Sequence, residues 1–218
     1  MKKVILSAIA VFVFGLANAQ GVEFGVKGGL NVANVSGQEN GKSLYGFSIG
    51  AFAEIKISPK FAIQPELLYS MQGTKYSTTT SSSGGGGFSF TSTDDVKAGL
   101  NYLNIPIMAK YFVIEKLSVQ AGPQFGFLLA FDRTSNSSSS TTFAGVTKVS
   151  STSSSSSDKS KLSSIDFGFN LGAGYDITEH FSADLRYNIG LTTINENSIN
   201  GISDIKNNVF SLNLGYKF

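Results

Sequence analysis

The chain has 218 residues, 15% of them charged, with no cysteine and a single histidine. The missing Cys excludes a disulfide framework and thiol chemistry, and one His excludes a histidine-clustered zinc site. The formal charge of +2 comes from the first residues. Without Lys2 and Lys3, the 17 basic residues fall to 15 against 15 acidic ones, so no basic surface for nucleic acid is implied.

The first residues read as an export signal. Met1-Lys2-Lys3 is positive, Val4 to Leu16 is apolar apart from Ser7 and Gly15, and Ala17-Asn18-Ala19 has a small-x-small form. A secretory signal peptide over 1–19 is expected, cut between Ala19 and Gln20. Residues 20–218 then form one domain. The apolar run is shorter than the ~20 residues a spanning helix needs, and no later stretch is an apolar 20-mer.

From Val22 onward the chain alternates apolar and polar residues, the period of a β-strand. The first predicted strand, Val22 to Ala33, sets Val22, Phe24, Val26, Leu30 and Val32 against Glu23, Lys27 and Asn31. After a polar loop, the second runs Leu44 to Ile57, with Phe47, Ile49 and Ile55 against Ser48, Glu54 and Lys56 and with Phe52 out of pattern. Ser58-Pro59-Lys60 is a tight turn. The third, Phe61 to Gln72, sets Ile63, Leu67, Tyr69 and Met71 against Gln64, Glu66 and Ser70, with Leu68 out of pattern.

Gly73 to Ala98 is a predicted loop of Thr, Ser and Gly. The fourth strand runs Gly99 to Val113 and carries Lys110 on its polar face. Ile114-Glu115-Lys116 turns, and the fifth runs Leu117 to Phe131. Asp132 to Ser163 is the longest loop, almost a Ser/Thr tract. Ser164 to Leu191 then holds the clearest alternation, two strands about the turn Thr178-Glu179-His180. Asp166, Asp176, Asp184 and Arg186 lie on the polar face there. After a last loop, Thr193 to Asn207, the eighth strand runs Val209 to Phe218 with Phe210, Leu212, Leu214, Tyr216 and Phe218 on one face.

Eight strands follow, longer than the usual five to six residues, several reaching the roughly 9–11 that cross a bilayer. Their connections alternate long and short, as in outer-membrane barrels with short periplasmic turns and long outer loops. Period two alone does not separate this from a soluble barrel with an apolar inside. The many glycines on the charged face do, since inside a narrow barrel they make room for longer side chains opposite. An all-β, eight-stranded antiparallel up-and-down transmembrane barrel is therefore expected, in the outer membrane.

Five stretches carry a resemblance: Lys27 to Asn31 (KGGLN), Tyr102 to Phe112 (YLNIPIMAKYF), Ala121 to Leu129 (AGPQFGFLL), Asp166 to Ile177 (DFGFNLGAGYDI) and Leu185 to Leu191 (LRYNIGL). Together they resemble the small porin-like outer-membrane barrel family that includes PorT-like proteins. The resemblance implies fold and location and says little of function. It also implies that Tyr216 and the terminal Phe218 form the signal by which such barrels are recognised for assembly. Partners expected from this reading are outer-membrane lipids, the barrel assembly machinery, and envelope proteins met through the outer loops; nucleic acid and cofactors are not.

No catalytic or metal-binding set emerges. His180 reads as a solvated turn residue, and serines without a base are not nucleophiles. The Gly84-Gly87 run opens no helix, so it is a flexible linker. The informative constellation is the polar-face charge. Unpartnered buried charges are costly, so mutual pairing is expected. Glu66 and Arg186 lie near the middle of strands on opposite walls. Arg186 is expected to centre an interior cluster with the Glu54/Glu66 pair and waters beside Asp184, with Lys110 balancing the acids. The favoured function is a non-enzymatic structural, surface or accessory barrel with a filled lumen. A narrow pore or small-ligand carrier is the second reading, and a lipid- or peptide-cleaving barrel a remote third.

Overall fold

The computed structural model describes residues 21–36, 41–160, 162–195 and 205–218; the expected signal peptide, with Ala19 and Gln20, lies outside them. Nine strands follow in order: β1 (Val22–Ser36), β2 (Gly41–Ser58), β3 (Phe61–Gly84), β4 (Phe88–Ile114), β5 (Leu117–Phe143), β6 (Val146–Ser156), β7 (Ile165–Asp176), β8 (Phe181–Gly190) and β9 (Lys206–Lys217). Each barrel strand pairs antiparallel with its neighbours, β5 pairs with β7, and β9 returns to β1 from Gly25↔Lys217 to Ser36↔Lys206. The eight strands other than β6 thus close a barrel, and closure removes the exposed edges an open sheet would present.

The alternation runs inside-out. Leu30, Ile49 and Leu214 are 68%, 58% and 60% exposed, whereas Lys27, Glu54 and Glu66 are buried. The two residues out of pattern also point inward: Phe52 and Leu68 are both buried. Phe52 lies under Lys27, whose Nζ is 5.3 Å from the ring centroid, so an aromatic face meets a cation.

The two longest predicted loops, Gly73–Ala98 and Asp132–Ser163, are largely strand. The hairpins continue through them. β3 and β4 pair up to Gly84↔Phe88, and β5 pairs with β6 up to Phe143↔Val146. The barrel wall already supplies the ladder, so each added residue pair gains backbone hydrogen bonds without burying side chains. Threonines suit such a surface and pair across it, with Thr79–Thr93 and Thr142–Thr147 hydroxyl contacts of 3.1 and 2.8 Å. Ala144 and Gly145 close the β5–β6 turn with φ of 47° and 81°, the positive pair of a type I′ hairpin turn. The upper parts of β3, β4 and β5 with β6 form a four-stranded blade beyond the barrel. β6 is the ninth strand that the alternation did not reveal.

Candidate functional site

The lumen is where the chain concentrates its charge. In a closed barrel of eight strands the interior is about wide enough for side chains to fill. β1 places Lys27 there, β3 places Glu66, and β8 places Asp184 and Arg186 two residues apart on its inner face. They close a ring of alternating sign. Lys27 Nζ lies 2.8 Å from Glu66 Oε1 and 2.9 Å from Asp184 Oδ2. Arg186 donates to both oxygens of Glu66 at 2.8 Å each, the bidentate fork that makes Arg–carboxylate pairs strong. Arg186 Nε lies 2.8 Å from Asp184 Oδ1, with its N–H aimed elsewhere, so that contact acts through charge. Two acids and two bases balance, and a bridge across the whole lumen results.

A second layer sits nearer the short turns. Lys110 pairs with Glu54, and Lys217 lies 3.2 Å from Glu54, 3.4 Å from Asp176 and 3.4 Å from Glu23. Lys56 completes it at 2.6 Å from Glu23. Gln64 joins the layers: it accepts from Lys110 Nζ at 3.2 Å and donates to Glu66. Side-chain room comes from glycine. A Cβ on Gly172 would meet Arg186 Cγ at 2.9 Å and Leu185 O at 2.4 Å; one on Gly29 would meet Asn213 Oδ1 at 2.1 Å.

All five residues singled out from the sequence, Glu54, Glu66, Lys110, Asp184 and Arg186, line this lumen. Their pairing departs from expectation. Glu66 sits opposite Phe52 in register, so Glu54 and Glu66 occupy different layers and each has its own cations. Asp184 Oδ1 is also met by Asn213 Nδ2 at 2.9 Å. Lys27 and Lys217, the cations that close the two layers, were not part of the expected cluster. Their signal was present as inward parity on β1 and β9; the missing fact was the β1–β9 seam.

Above the ring the lining turns to amides and hydroxyls, such as Asn31 donating to Ser70 Oγ at 2.9 Å and Asn170 donating to Gln124 at 3.1 Å. A void here, bordered by Asn31, Asn104, Asn188 and Arg186, measures about 30 Å³; one beside Lys27 and Lys110 measures about 10 Å³. These are water-sized spaces. At the outer end Val35, Leu100, Tyr102, Leu128, Ile194 and Ile205 pack into an apolar cap, flanked by Phe131 and Leu162. Ser163 N donates to Ile194 O and Ile194 N to Ile205 O, both at 2.9 Å, so segments before β7, after β8 and before β9 hold the cap together. Asp166, the remaining lumen acid, accepts from Thr192 Oγ1 at 2.8 Å near this end.

At the opposite end, His180 stacks on Tyr216 with centroids 5.8 Å apart, and its Nδ1 lies 3.0 Å from Lys217 O. Phe181 and Phe218 pack edge-on against the same Tyr216 ring at 5.1 and 5.7 Å. His180 is thus a contact that ties the β7–β8 turn to the last strand, more than a solvated turn residue.

A family model described as outer membrane protein beta-barrel domain matches residues 18–196. Among solved structures, the attachment invasion locus protein Ail of Yersinia pestis is similar at 13% identity, TM-score 0.44, covering 91% of this chain and 100% of that one. Neisserial surface protein A is similar at 18% identity, TM-score 0.37, covering 91% and 100%. OprG from Pseudomonas aeruginosa is similar at 14% identity, TM-score 0.37, covering 91% and 97%. A search of curated proteins returned no match to the chain.

Proposed function

The chain belongs to the outer membrane β-barrel domain family, and from that premise we propose that it is a sealed, non-enzymatic barrel of the outer membrane that holds a Ser/Thr-rich blade at the cell surface. The observation that carries this is the ring Lys27–Glu66–Arg186–Asp184, which bridges the lumen wall to wall between voids of water size. A conducting path would have to break it. Catalysis finds no support in the side chains: the sole histidine is engaged with Tyr216 at the end away from the blade serines, and a serine needs a nearby base.

In this reading the surrounding lipid is the barrel's constant partner. The assembly machinery reads the Tyr216/Phe218 end of β9, and envelope proteins are met through the blade. The narrower kinship with PorT-like barrels rests on the five motifs, two of which supply ring members: Lys27 opens KGGLN and Arg186 lies in LRYNIGL.

Conductance in a planar bilayer tests the proposal. The expected result for the full-length folded barrel is a closed baseline with rare brief openings. A steady, ion-selective current would replace the sealed barrel with the pore, since rings of charged side chains can also select ions.

A further inference from the structure

The outer face of the barrel carries an arrangement that the lumen does not explain. Lys42 on β2 is directly opposite Lys75 on β3, and Lys75 is directly opposite Lys97 on β4. Partnered residues of a sheet share a face, and neighbouring strands lie ~4.8 Å apart. Three ammonium groups therefore stand in one row across three strands. Like charges directly opposite one another destabilise a sheet, and among the described residues no carboxylate makes an ion pair with any of the three.

The row does not sit on a flat surface. The three lysines line a cleft of about 370 Å³ together with Asp95, Thr134 and Asn136. Asn136 Oδ1 accepts from Ser153 at 2.7 Å, and its Nδ2 donates to nothing among the described residues. With Asp95 counted the cleft keeps a net charge of +2, and Asp132 lies one outward position below Thr134 on β5. The donors are those an anion with several oxygens needs: ammonium groups, a hydroxyl and a free amide.

Its height is set by the strands. Lys75 follows the exposed Met71 by four residues and Lys42 precedes the exposed Tyr45 by three. At ~3.3 Å per residue and a tilt of ~40°, that is about 8–10 Å above the apolar band. Headgroups extend roughly 5–8 Å beyond the hydrocarbon on each side of a bilayer, and lysine stems can adjust by snorkelling. The cleft thus opens at the outer edge of the headgroup layer, from which the lysine stems reach down to the phosphates, with Met71 and Leu129 below it where acyl chains run.

We infer that the Lys42–Lys75–Lys97 cleft binds the phosphate of a phosphorylated outer-leaflet glycolipid, whose acyl chains lie against the apolar wall beneath. The bound phosphate neutralises the row that the fold otherwise leaves repulsive. It also fixes the depth of the barrel on the side from which the blade rises.

The test uses the full chain in phosphatidylcholine vesicles doped with diphosphorylated lipid A, or with the same glycolipid after dephosphorylation. Lipid that stays bound through detergent extraction is counted by native mass spectrometry. Wild type should retain the phosphorylated glycolipid and not the dephosphorylated one, and millimolar inorganic phosphate should not displace it. Lysines at a membrane surface attract anionic headgroups, so the triple variant K42Q/K75Q/K97Q should lose at least about tenfold in retention. Lys148→Gln, a cation on β6 outside the cleft, should change nothing. Equal retention of both lipids by wild type, a triple variant that retains lipid as wild type does, or an equal loss with Lys148→Gln would each overturn the inference. Displacement by free phosphate would reassign the cleft to a soluble anion. The lipid comparison needs only wild-type protein, so it decides even if the triple variant misfolds.

Discussion

The lumen and the blade are built from the same antiparallel ladder, yet they are held in opposite ways. In the lumen the side chains do the holding: Lys27, Glu66, Asp184 and Arg186 are buried and each has at least two partners. In the blade the backbone does it: all eleven residues of β6 are exposed, and few of its side chains touch anything. Strand formation here therefore does not require a core. Once closure has fixed the register of β3, β4 and β5, their ladders run on past the last buried residue. Side-chain identity should therefore matter greatly in one region and little in the other.

The sharpest way to break this contrast is Arg186→Leu. It leaves Glu66 and Asp184 to share Lys27 as their remaining cation in a closed interior, and removing one partner of a buried ionic cluster costs about 3–5 kcal/mol. The expected outcome is a clearly lower unfolding midpoint in denaturant and more frequent openings in bilayers. Wild-type behaviour in both would mean that the ring holds nothing together.

A smaller effect is expected from Gly172→Val. Its Cβ would press on Arg186 and on the Leu185 carbonyl, and overpacking costs about 1–3 kcal/mol. Here the midpoint should fall while all the charges stay present, which separates room for the guanidinium from the charge itself. Midpoints equal to wild type would show that β7 and β8 can part without loss.

The least effect should come from the blade. Thr134 and Ser155 are paired in register, so replacing residues 135–154 by Asn-Gly leaves a hairpin-compatible turn. The barrel's unfolding free energy should change by no more than about 0.5 kcal/mol, the range of surface changes remote from packed features. Failure of that variant to assemble would make the blade part of the fold's foundation and end the comparison.

Much of this molecule was legible in the chain. The alternation from Val22 to Phe218 identified the eight barrel strands, and glycine on the charged face pointed to a polar interior. It also put Glu54, Glu66, Lys110, Asp184 and Arg186 on one face. The blade was not legible as structure, because Ser and Thr bury nothing and composition registers only burial. The apolar cap was missed for another reason: Val35, Ile194 and Ile205 fall between the predicted strands, and Leu100 and Leu128 lie on the inward face of two different ones, so no single run brings them together.

What the sequence determined by itself was facing. Side-chain parity is a property of the pleat, repeats every two residues, and needs no knowledge of neighbours. Partnership came from the closed sheet. Which acid meets which base depends on the stagger of the closed sheet, on Glu66 lying opposite Phe52 and on Lys27 meeting Gly215 across the β1–β9 seam. Stagger belongs to the whole barrel; no single strand carries it.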